Sequence, residues 1–250
     1  MKPWHSLSEE LDRWADNGVT ATLWWRDDDA ARPHAALDRL LGLAAAPLAL
    51  AVIPARIEGE AAEAILAHEQ VTVIQHGYAH RNHAAEGEPK CEFGDGRDAD
   101  TALDELTRGR QRLASLFGGR FTAILAPPWN RMGASLAARL AGAGLSGLSA
   151  YGPRAGARVA RHLVQVNSHI DIIDWRGSRG FVGEDAALGL AVDHLRARRT
   201  GTVDAFEPTG LLSHHLDHDA PAWRFIEAFM EATGGHQAAR WLDVAEAFAP

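Results

Sequence analysis

The most constraining feature of this sequence is a regular alternation of short apolar runs with longer stretches of helical spacing. The apolar runs are nearly continuous, which is typical of parallel strands buried on both faces. Their alternation with helices predicts an α/β fold. The predicted strands are Val19–Arg26, Leu48–Ile53, Val71–Gln75, Phe121–Ala126, Leu145–Ser149, Leu163–Asn167 and Gly210–His214. The predicted helices are Pro33–Ala45, Glu60–His68, Ala99–Phe117, Ala134–Gly142, Glu184–Arg199, Ala222–Thr233 and Ala238–Phe248.

About seven strands in 250 residues favour closure into a deformed (β/α) barrel, although the pattern is compatible with an open sheet. We expect one domain over 1–250, with a motif-bearing core at about 19–218 and C-terminal helices within 222–248. The glycine- and charge-rich segment Ala84–Asp98 is predicted to be a long loop, of the kind that forms lids or binding loops.

Composition narrows the choice of partners. The single cysteine, Cys91, excludes an internal disulfide framework and a cysteine-rich zinc site. A net charge of −8 without a lysine/arginine block argues against nucleic acid and anionic membranes as partners. No apolar run is long enough to cross a bilayer, and the N-terminus lacks the apolar region of a secretory signal, so we expect a cytoplasmic protein. The sequence gives no indication of oligomeric state.

Polar side chains concentrate where the predicted strands end. In parallel α/β folds the carboxyl ends of the strands meet at one edge, where chemistry collects. We therefore expect these groups to share one site. They are Arg26–Asp29, His76 and His80, Pro127–Arg131, His169, Asp171, Asp174 and Trp175, and His214, His215 and His218.

Part of this set has the composition of a metal site. Two histidines and one carboxylate are a common ligand set for a hydrolytic zinc that keeps an open position. His76 and His80 are four residues apart, and one aspartate of the triplet completes the set. A bound cation would offset the repulsion between neighbouring carboxylates. A second aspartate would act as general base, and His214 or His215 as general acid.

The motifs DDD, HGYAH, PPWN, DIIDW and LSHH occur in this order between about Leu23 and His218. Together they resemble the five motifs of the polysaccharide deacetylase family (NodB homology, carbohydrate esterase family 4). The resemblance implies a deformed (β/α) barrel and an enzyme that removes acetyl groups from sugars with a divalent metal. The ligand set favours zinc, and cobalt or nickel would suit it as well.

The resemblance also assigns roles at the first two motifs. Asp28 would be the general base, and Asp29 would bind the metal together with His76 and His80. The triplet allows an alternative register, in which Asp27 is the base and Asp28 the ligand. The first register is preferred because a small residue follows Asp29.

The remaining motifs supply the other expected groups. The backbone N–H of Trp129 would stabilise the oxyanion, His214 would be the general acid, and Asp174 would orient it. Trp175 would line the acyl pocket. The other residues expected to line the substrate cleft are Arg26, Pro128, Asn130, Arg131 and His215.

The chain departs from the family pattern at two positions. Ala126 occupies the place of an arginine that holds the base aspartate, and we expect Arg26 or Arg131 to supply that charge instead. Gly77 replaces a serine or threonine. Because no export signal is seen, a soluble saccharide or glycan precursor is favoured over an extracellular polymer as substrate.

Two other functions remain open. Some relatives of this fold hydrolyse C–N bonds of cyclic imides or ureides without a metal. A carbohydrate-binding protein that has lost turnover is the other alternative, supported by the missing arginine. The intact Asp-His-His set and the acid histidine favour the metal-dependent deacetylase.

Overall fold

A computed structural model of the protein describes residues 3–43 and 46–249. It is an α/β structure in which helices surround one largely parallel sheet. The strands are β1 (Ala21–Ala30), β2 (Leu48–Val52), β3 (Val71–His76), β4 (Phe121–Ala126), β5 (Gly147–Leu148), β6 (Arg158–Ala160), β7 (Leu163–Gln165), β8 (Ile170–Asp171), β9 (Thr209–Ser213) and β10 (Ala239–Trp241). The helices are α1 (Pro3–Asp16), α2 (Ala35–Leu43), α3 (Gly59–Leu66), α4 (Ala99–Phe117), α5 (Ala134–Ala137), α6 (Glu184–Arg199), α7 (Ala220–Gly234) and α8 (Val244–Ala247).

The strand order places β1 in the interior of the sheet. The hydrogen-bonded path is β6-β7-β5-β4-β3-β2-β1-β9-β8, and β10 pairs with the beginning of β1. Every ladder between these described strands is parallel except β6–β7. The carboxyl ends of β1, β3, β4 and β9 therefore open on the same edge, as the sequence predicts.

One segment joins the two sides of this sheet. Between β7 and β8, the Ser168 N–H donates to Ala150 O (3.0 Å) after β5. The next residue, His169, donates its N–H to Gly210 O (2.7 Å) in β9. The segment 163–171 thus pairs with β5 at its start and with β9 at its end. The predicted α/β class is confirmed, and this pairing is consistent with the predicted deformed barrel.

The interior of the barrel is filled by side chains from successive strands. Trp24, Ala49, Ile74 and Ile124 come from β1 to β4, and they pack with Val166 in one buried cluster. The opposite faces of these strands pack against the helices in a larger core. Since side chains alternate along a strand, Arg26 and Asp28 share the interior face with Trp24.

The helices predicted at Ala99–Phe117 and Glu184–Arg199 are confirmed residue by residue. Helix α1 was not predicted. The predicted helix Pro33–Ala45 is seen as α2, although its predicted end at Ala45 lies outside the described residues. The prediction Ala134–Gly142 divides into α5 and a 3-10 turn. None of the described helices is both long and apolar enough to span a lipid bilayer.

The predicted helix Ala238–Phe248 is wrong over its first half. Residues 239–241 form β10 instead, because they pair with the beginning of β1 through the register Ala21↔Ala239. Helix α8 begins only after Asp243, whose carboxylate accepts the Glu246 N–H (2.8 Å) in a capping box.

Candidate active site

The three consecutive aspartates lie at the end of β1, and each has different neighbours. Asp27 and Asp28 occupy opposite faces of the strand because side chains alternate. The pairing of β1 with β2 shifts register between Asp27 and Ala30, and Asp29 adopts a positive φ of 77°. Such an irregularity re-aims a side chain at the edge of a sheet. The triplet therefore presents three carboxylates in three separate environments.

Asp29 lies between the two histidines of the second motif. Its Oδ1 is 3.2 Å from His76 Nε2 and 3.2 Å from His80 Nε2. A tetrahedral zinc with bonds of about 2.0–2.1 Å separates its ligand atoms by roughly 3.3 Å. These spacings suit an ion held by the three side chains.

The protonation of these groups also suits a cation. His76 Nδ1 contacts Ala126 O at 3.0 Å and donates a proton there, which leaves Nε2 to face Asp29. Burial raises the pKa of Asp29, but the hydrogen bond and charge of His76 outweigh burial and hold that pKa below its usual value. Without a metal, His76 Nε2 therefore carries a proton that it donates to Asp29, and a cation would replace that proton between the same two groups.

Asp28 is held by Arg26 from the same strand. Arg26 Nε lies 2.9 Å from Oδ1, and Arg26 donates from an Nη atom to Oδ2 at 3.0 Å. The guanidinium also donates to Ser149 Oγ (2.6 Å) and Asn130 Oδ1 (2.5 Å). Both partners of the ion pair are almost fully buried. Arg131 is exposed and donates to Lys90 O instead, so Arg26 supplies the charge beside Asp28.

Asp27 belongs to the layer behind the site. Its carboxylate accepts hydrogen bonds from Ser213 Oγ (2.6 Å) and His215 Nδ1 (2.5 Å). Burial raises the pKa of Asp27, but the charge of His215 and its hydrogen bond outweigh burial and lower it. This buried pair fixes the turn after β9 that carries His214. The alternative register is not supported, because Asp27 is fully buried and His215 takes one of its oxygens.

His214 lies directly after β9, beside Asp28. Its Nε2 is 3.9 Å from Asp28 Oδ2, and its ring meets Trp175 edge to face with 4.6 Å between centroids. Its Nδ1 is buried and has no hydrogen-bond partner in the described structure. His215, the other candidate acid, is 1% exposed and paired with Asp27, so it does not line the cleft.

The contact expected from Asp174 to His214 is not formed. The two oxygens of Asp174 accept the N–H groups of Gly177 (3.0 Å) and Ser178 (3.1 Å), so this carboxylate stabilises a turn. The carboxylate near His214 is instead that of Asp171. Burial raises the pKa of Asp171, while the charge of His214 acts in the opposite direction.

The turn after β4 carries Trp129 in a left-handed conformation. Its φ is 56°, and Asn130 follows with φ of 55°. Such backbone geometry is unfavourable for residues other than glycine and is often found at functional sites. The Trp129 ring lies 4.5 Å from that of His80. Pro128, the residue before Trp129, is buried.

Several residues that were expected to line the substrate cleft instead contact other protein groups. Arg26 is fully buried and binds protein groups, so it positions Asp28. Asn130 accepts from Arg26, while Arg131 and His215 point elsewhere as described above. Trp175 remains exposed, at 38%, and donates its Nε1–H to Asp171 Oδ2 (2.8 Å).

Sequence reasoning gave no role to Ser149 and no specific role to Asp171. Ser149 bonds Arg26 through both its hydroxyl and its backbone carbonyl. Asp171 and Asp174 both lie in the fourth motif, so the motif alone does not decide which of them lies near His214. The i, i+2 spacing of Arg26 and Asp28 on one strand was a usable signal for their pairing.

A second group of potential ligands lies near the start of β9, between α6 and the sheet. Atoms of His169, His194 and Glu207 lie within 4.8 Å of one another, and all three residues are buried. However, the Gly210 N–H donates to His169 Nδ1 (3.0 Å). A neutral His169 must then carry its proton on Nε2, which faces Glu207 at 3.4 Å and has no lone pair left for a metal. We interpret this group as structural.

Searches by sequence find no matching family model and no significantly similar curated protein. Solved structures do match. A protein from Mycobacterium smegmatis, described as a candidate polysaccharide deacetylase, superposes with a TM-score of 0.63 at 18% identity, over 92% of this chain and 89% of that one. The chain has the fold of the polysaccharide deacetylases.

Two further structures support this assignment of the fold. The Bc1960 peptidoglycan N-acetylglucosamine deacetylase matches with a TM-score of 0.55 at 15% identity, covering 92% of this chain and 88% of its own. A family 4 acetyl xylan esterase from Clostridium thermocellum, solved with a cobalt ion, gives 0.53 at 13% identity, with 91% and 90% covered. The resemblance found in the motifs is therefore matched by the fold over nine-tenths of the chain.

Proposed function

We propose that the protein is a metal-dependent hydrolase that removes an N-acetyl or related acyl group from a soluble saccharide or glycan precursor. One observation carries the proposal. The cluster of Asp29, His76 and His80 lies beside Asp28, which is held by Arg26 and faces His214 at 3.9 Å. Ligands, base and acid thus come together at one edge of the barrel.

The cation would be held by Asp29 and the two histidine Nε2 atoms. When bound, a divalent metal of this kind polarises an acyl carbonyl and lowers the pKa of water. Zinc fits a His₂-carboxylate set, and cobalt and nickel are compatible with the same donors. The cobalt ion in the acetyl xylan esterase of similar fold supports a metal-dependent function.

Asp28 is suited to the role of general base. The two Arg26 contacts fix its orientation. It accepts the proton of the attacking water as the tetrahedral centre forms at the acyl carbon. Its neighbour Asp29 is engaged with the two histidines, so the two carboxylates have separate tasks.

His214 is suited to the role of general acid. Its Nε2 lies 3.9 Å from Asp28 Oδ2, and from there it delivers a proton to the departing amine nitrogen. Trp175 packs against its ring and remains exposed, so it can also line the acyl pocket. The Trp129 N–H is the proposed donor to the oxyanion, on the turn that packs over His80.

The two rival functions are less well supported. The non-catalytic reading depends on the missing arginine of the third motif, and Arg26 supplies an equivalent charge. A metal-independent imide hydrolase has no need for a carboxylate 3.2 Å from two imidazole nitrogens.

The test is acetate release from a panel of soluble N-acetylated mono- and oligosaccharides. Wild-type protein loaded with zinc should release acetate, and both chelation and Asp28→Asn should abolish the activity. Release that survives chelation, or an Asp28→Asn variant as active as wild type, would exclude the proposed mechanism. Hydrolysis of cyclic imides by metal-free protein would favour the rival enzyme.

A further inference from the structure

Glu92 places a fully buried carboxylate under the loop that joins the two histidine ligands. It accepts three backbone hydrogen bonds, from the N–H groups of Tyr78 (3.1 Å), Ala79 (2.8 Å) and Arg81 (3.3 Å). No ion pair to Glu92 is formed within residues 3–43 and 46–249. Burying a carboxylate is costly unless polar groups surround it, and converging N–H groups form such a nest. The hydrogen bonds of the Glu92 carboxylate are therefore made to the backbone of this loop.

The loop needs an external support because its two histidines are held differently. His76 ends β3 and is fixed by the sheet and by Ala126 O. His80 lies four residues later, outside any strand, with a positive φ of 53°. A left-handed conformation costs roughly 1–2 kcal/mol in a residue other than glycine. Contacts beyond His80 itself must offset that cost.

Gly77 is the residue type that allows the carboxylate to approach. A Cβ at this position would overlap the Glu92 carboxylate and lie 2.6 Å from the Pro128 ring. Its φ of +57° is also the region that glycine adopts readily. The glycine at position 77, where the family has serine or threonine, therefore leaves the space that the Glu92 carboxylate occupies.

Glu92 is itself anchored from the opposite side. The adjacent Phe93 is fully buried and forms a bridge with Met132. The Gly133 N–H donates to Phe93 O (2.8 Å), and Arg97 donates to Glu92 O (3.2 Å). The carboxylate thus connects the histidine loop to the segment that follows Trp129.

We propose that Glu92 is a positioning residue, which holds the 77–81 loop so that His80 meets Asp29 and His76 before a metal binds. This assignment rests on the proposed metal-dependent function. Removing one acceptor oxygen leaves buried N–H groups without a partner and loosens His80. Zinc affinity should then fall by roughly tenfold to 100-fold, as for other residues that orient ligands.

The experiment compares Glu92→Gln with Glu88→Gln. Gln keeps the shape of Glu92 but turns an NH₂ toward backbone donors. Glu88 is a matched control, since it lies exposed on the same loop and accepts only the Ala85 N–H (3.3 Å). Zinc dissociation constants are measured by competition with a chromogenic chelator, and hydrogen exchange over 78–81 is measured in zinc-free protein. Circular dichroism checks the fold.

We expect Glu92→Gln to bind zinc at least tenfold more weakly and to exchange faster over 78–81, with Glu88→Gln within twofold of wild type. Wild-type affinity in a folded Glu92→Gln variant would overturn the assignment and leave the proposed function intact. A wild-type protein that binds no zinc would overturn both. If Glu92→Gln does not fold, Gly77→Ala makes the same comparison by displacing the carboxylate, and unchanged affinity there would overturn the assignment.

Discussion

Arg26 contacts both carboxylate oxygens of Asp28, which lies two residues later on the same strand. Arg26 Nε is 2.9 Å from Oδ1, and Arg26 Nη2 donates to Oδ2 at 3.0 Å. Arg26→Lys keeps the charge and loses the planar fork, so Asp28 should turn away from its productive orientation. We expect kcat to fall on the order of 100-fold with zinc content unchanged. Arg131→Lys is the control, because Arg131 binds Lys90 O on the surface. A larger loss in Arg131→Lys than in Arg26→Lys would contradict this arrangement.

The aspartate register is tested by comparing Asp28→Asn with Asp27→Asn. Loss of a general base should lower kcat on the order of 1000-fold in Asp28→Asn while the protein stays folded and keeps zinc. Asp27→Asn instead leaves His215 buried without its ionic partner, and should cost about 3 kcal/mol of unfolding free energy. Urea denaturation and kcat, measured on both variants, check the assignment. The reverse pattern would restore the alternative register.

The acid side of the site is tested at Asp171 and Asp174. Asp171→Asn removes the carboxylate near His214 that accepts from Trp175. It should lower kcat on the order of 10-fold, since His214 and Trp175 lose the carboxylate that lies beside them. Asp174→Asn should affect only the 174–178 turn, seen as faster local hydrogen exchange. A loss of kcat in Asp174→Asn alone would show that the motif-based role is correct.

Stability should depend on pH through buried histidines. Burial lowers the pKa of His169, that of His194 to about 2 and that of His218 to about 4. In the unfolded chain these histidines become protonated near pH 6.5, whereas in the folded protein they stay neutral at that pH. Their contribution to stability is therefore retained above that pH and is lost as pH falls toward the folded values, by about 2 kcal/mol for each of His194 and His218 between pH 7 and pH 5.

His194→Phe tests this linkage directly. The variant keeps a ring next to His169 and cannot be protonated, so its loss of unfolding free energy between pH 7 and pH 5 should be smaller than that of wild type by about 2 kcal/mol. His34→Phe, at an exposed histidine, serves as the control. Equal pH dependence in His194→Phe and wild type would show that His194 is not the proton-linked group.

The sequence predicted the fold and the location of the site because both follow from local patterns. Apolar runs and helical spacing define β2–β4, α4 and α6 closely. Strand β1 continues to Ala30, four residues past its predicted end at Arg26, so the aspartate triplet is part of the strand. The motif residues still lie at or near the carboxyl ends of strands, as expected. The segment 238–248 was predicted wrongly, since pairing of β10 with β1 is a contact over more than 200 residues that no local signal reveals.

Three features of the site depended on tertiary contacts in the same way. The choice between Arg26 and Arg131 depended on what lies near each guanidinium. The exchange of Asp174 for Asp171 depended on a turn that uses the Asp174 oxygens for its own N–H groups. Glu92 lies in a long loop with no periodicity, and only the folded chain brings it under the histidine loop.

The most direct test of the account is the metal content of purified protein by elemental analysis, for wild type and for a His76→Ala/His80→Ala variant. The spacing of Asp29, His76 and His80 predicts about one equivalent of zinc, or of cobalt or nickel when supplied, in wild type, and none in the variant. Wild-type protein that takes up no metal after incubation with zinc would contradict the assignment of this cluster as a metal centre, and with it the proposed deacetylase mechanism.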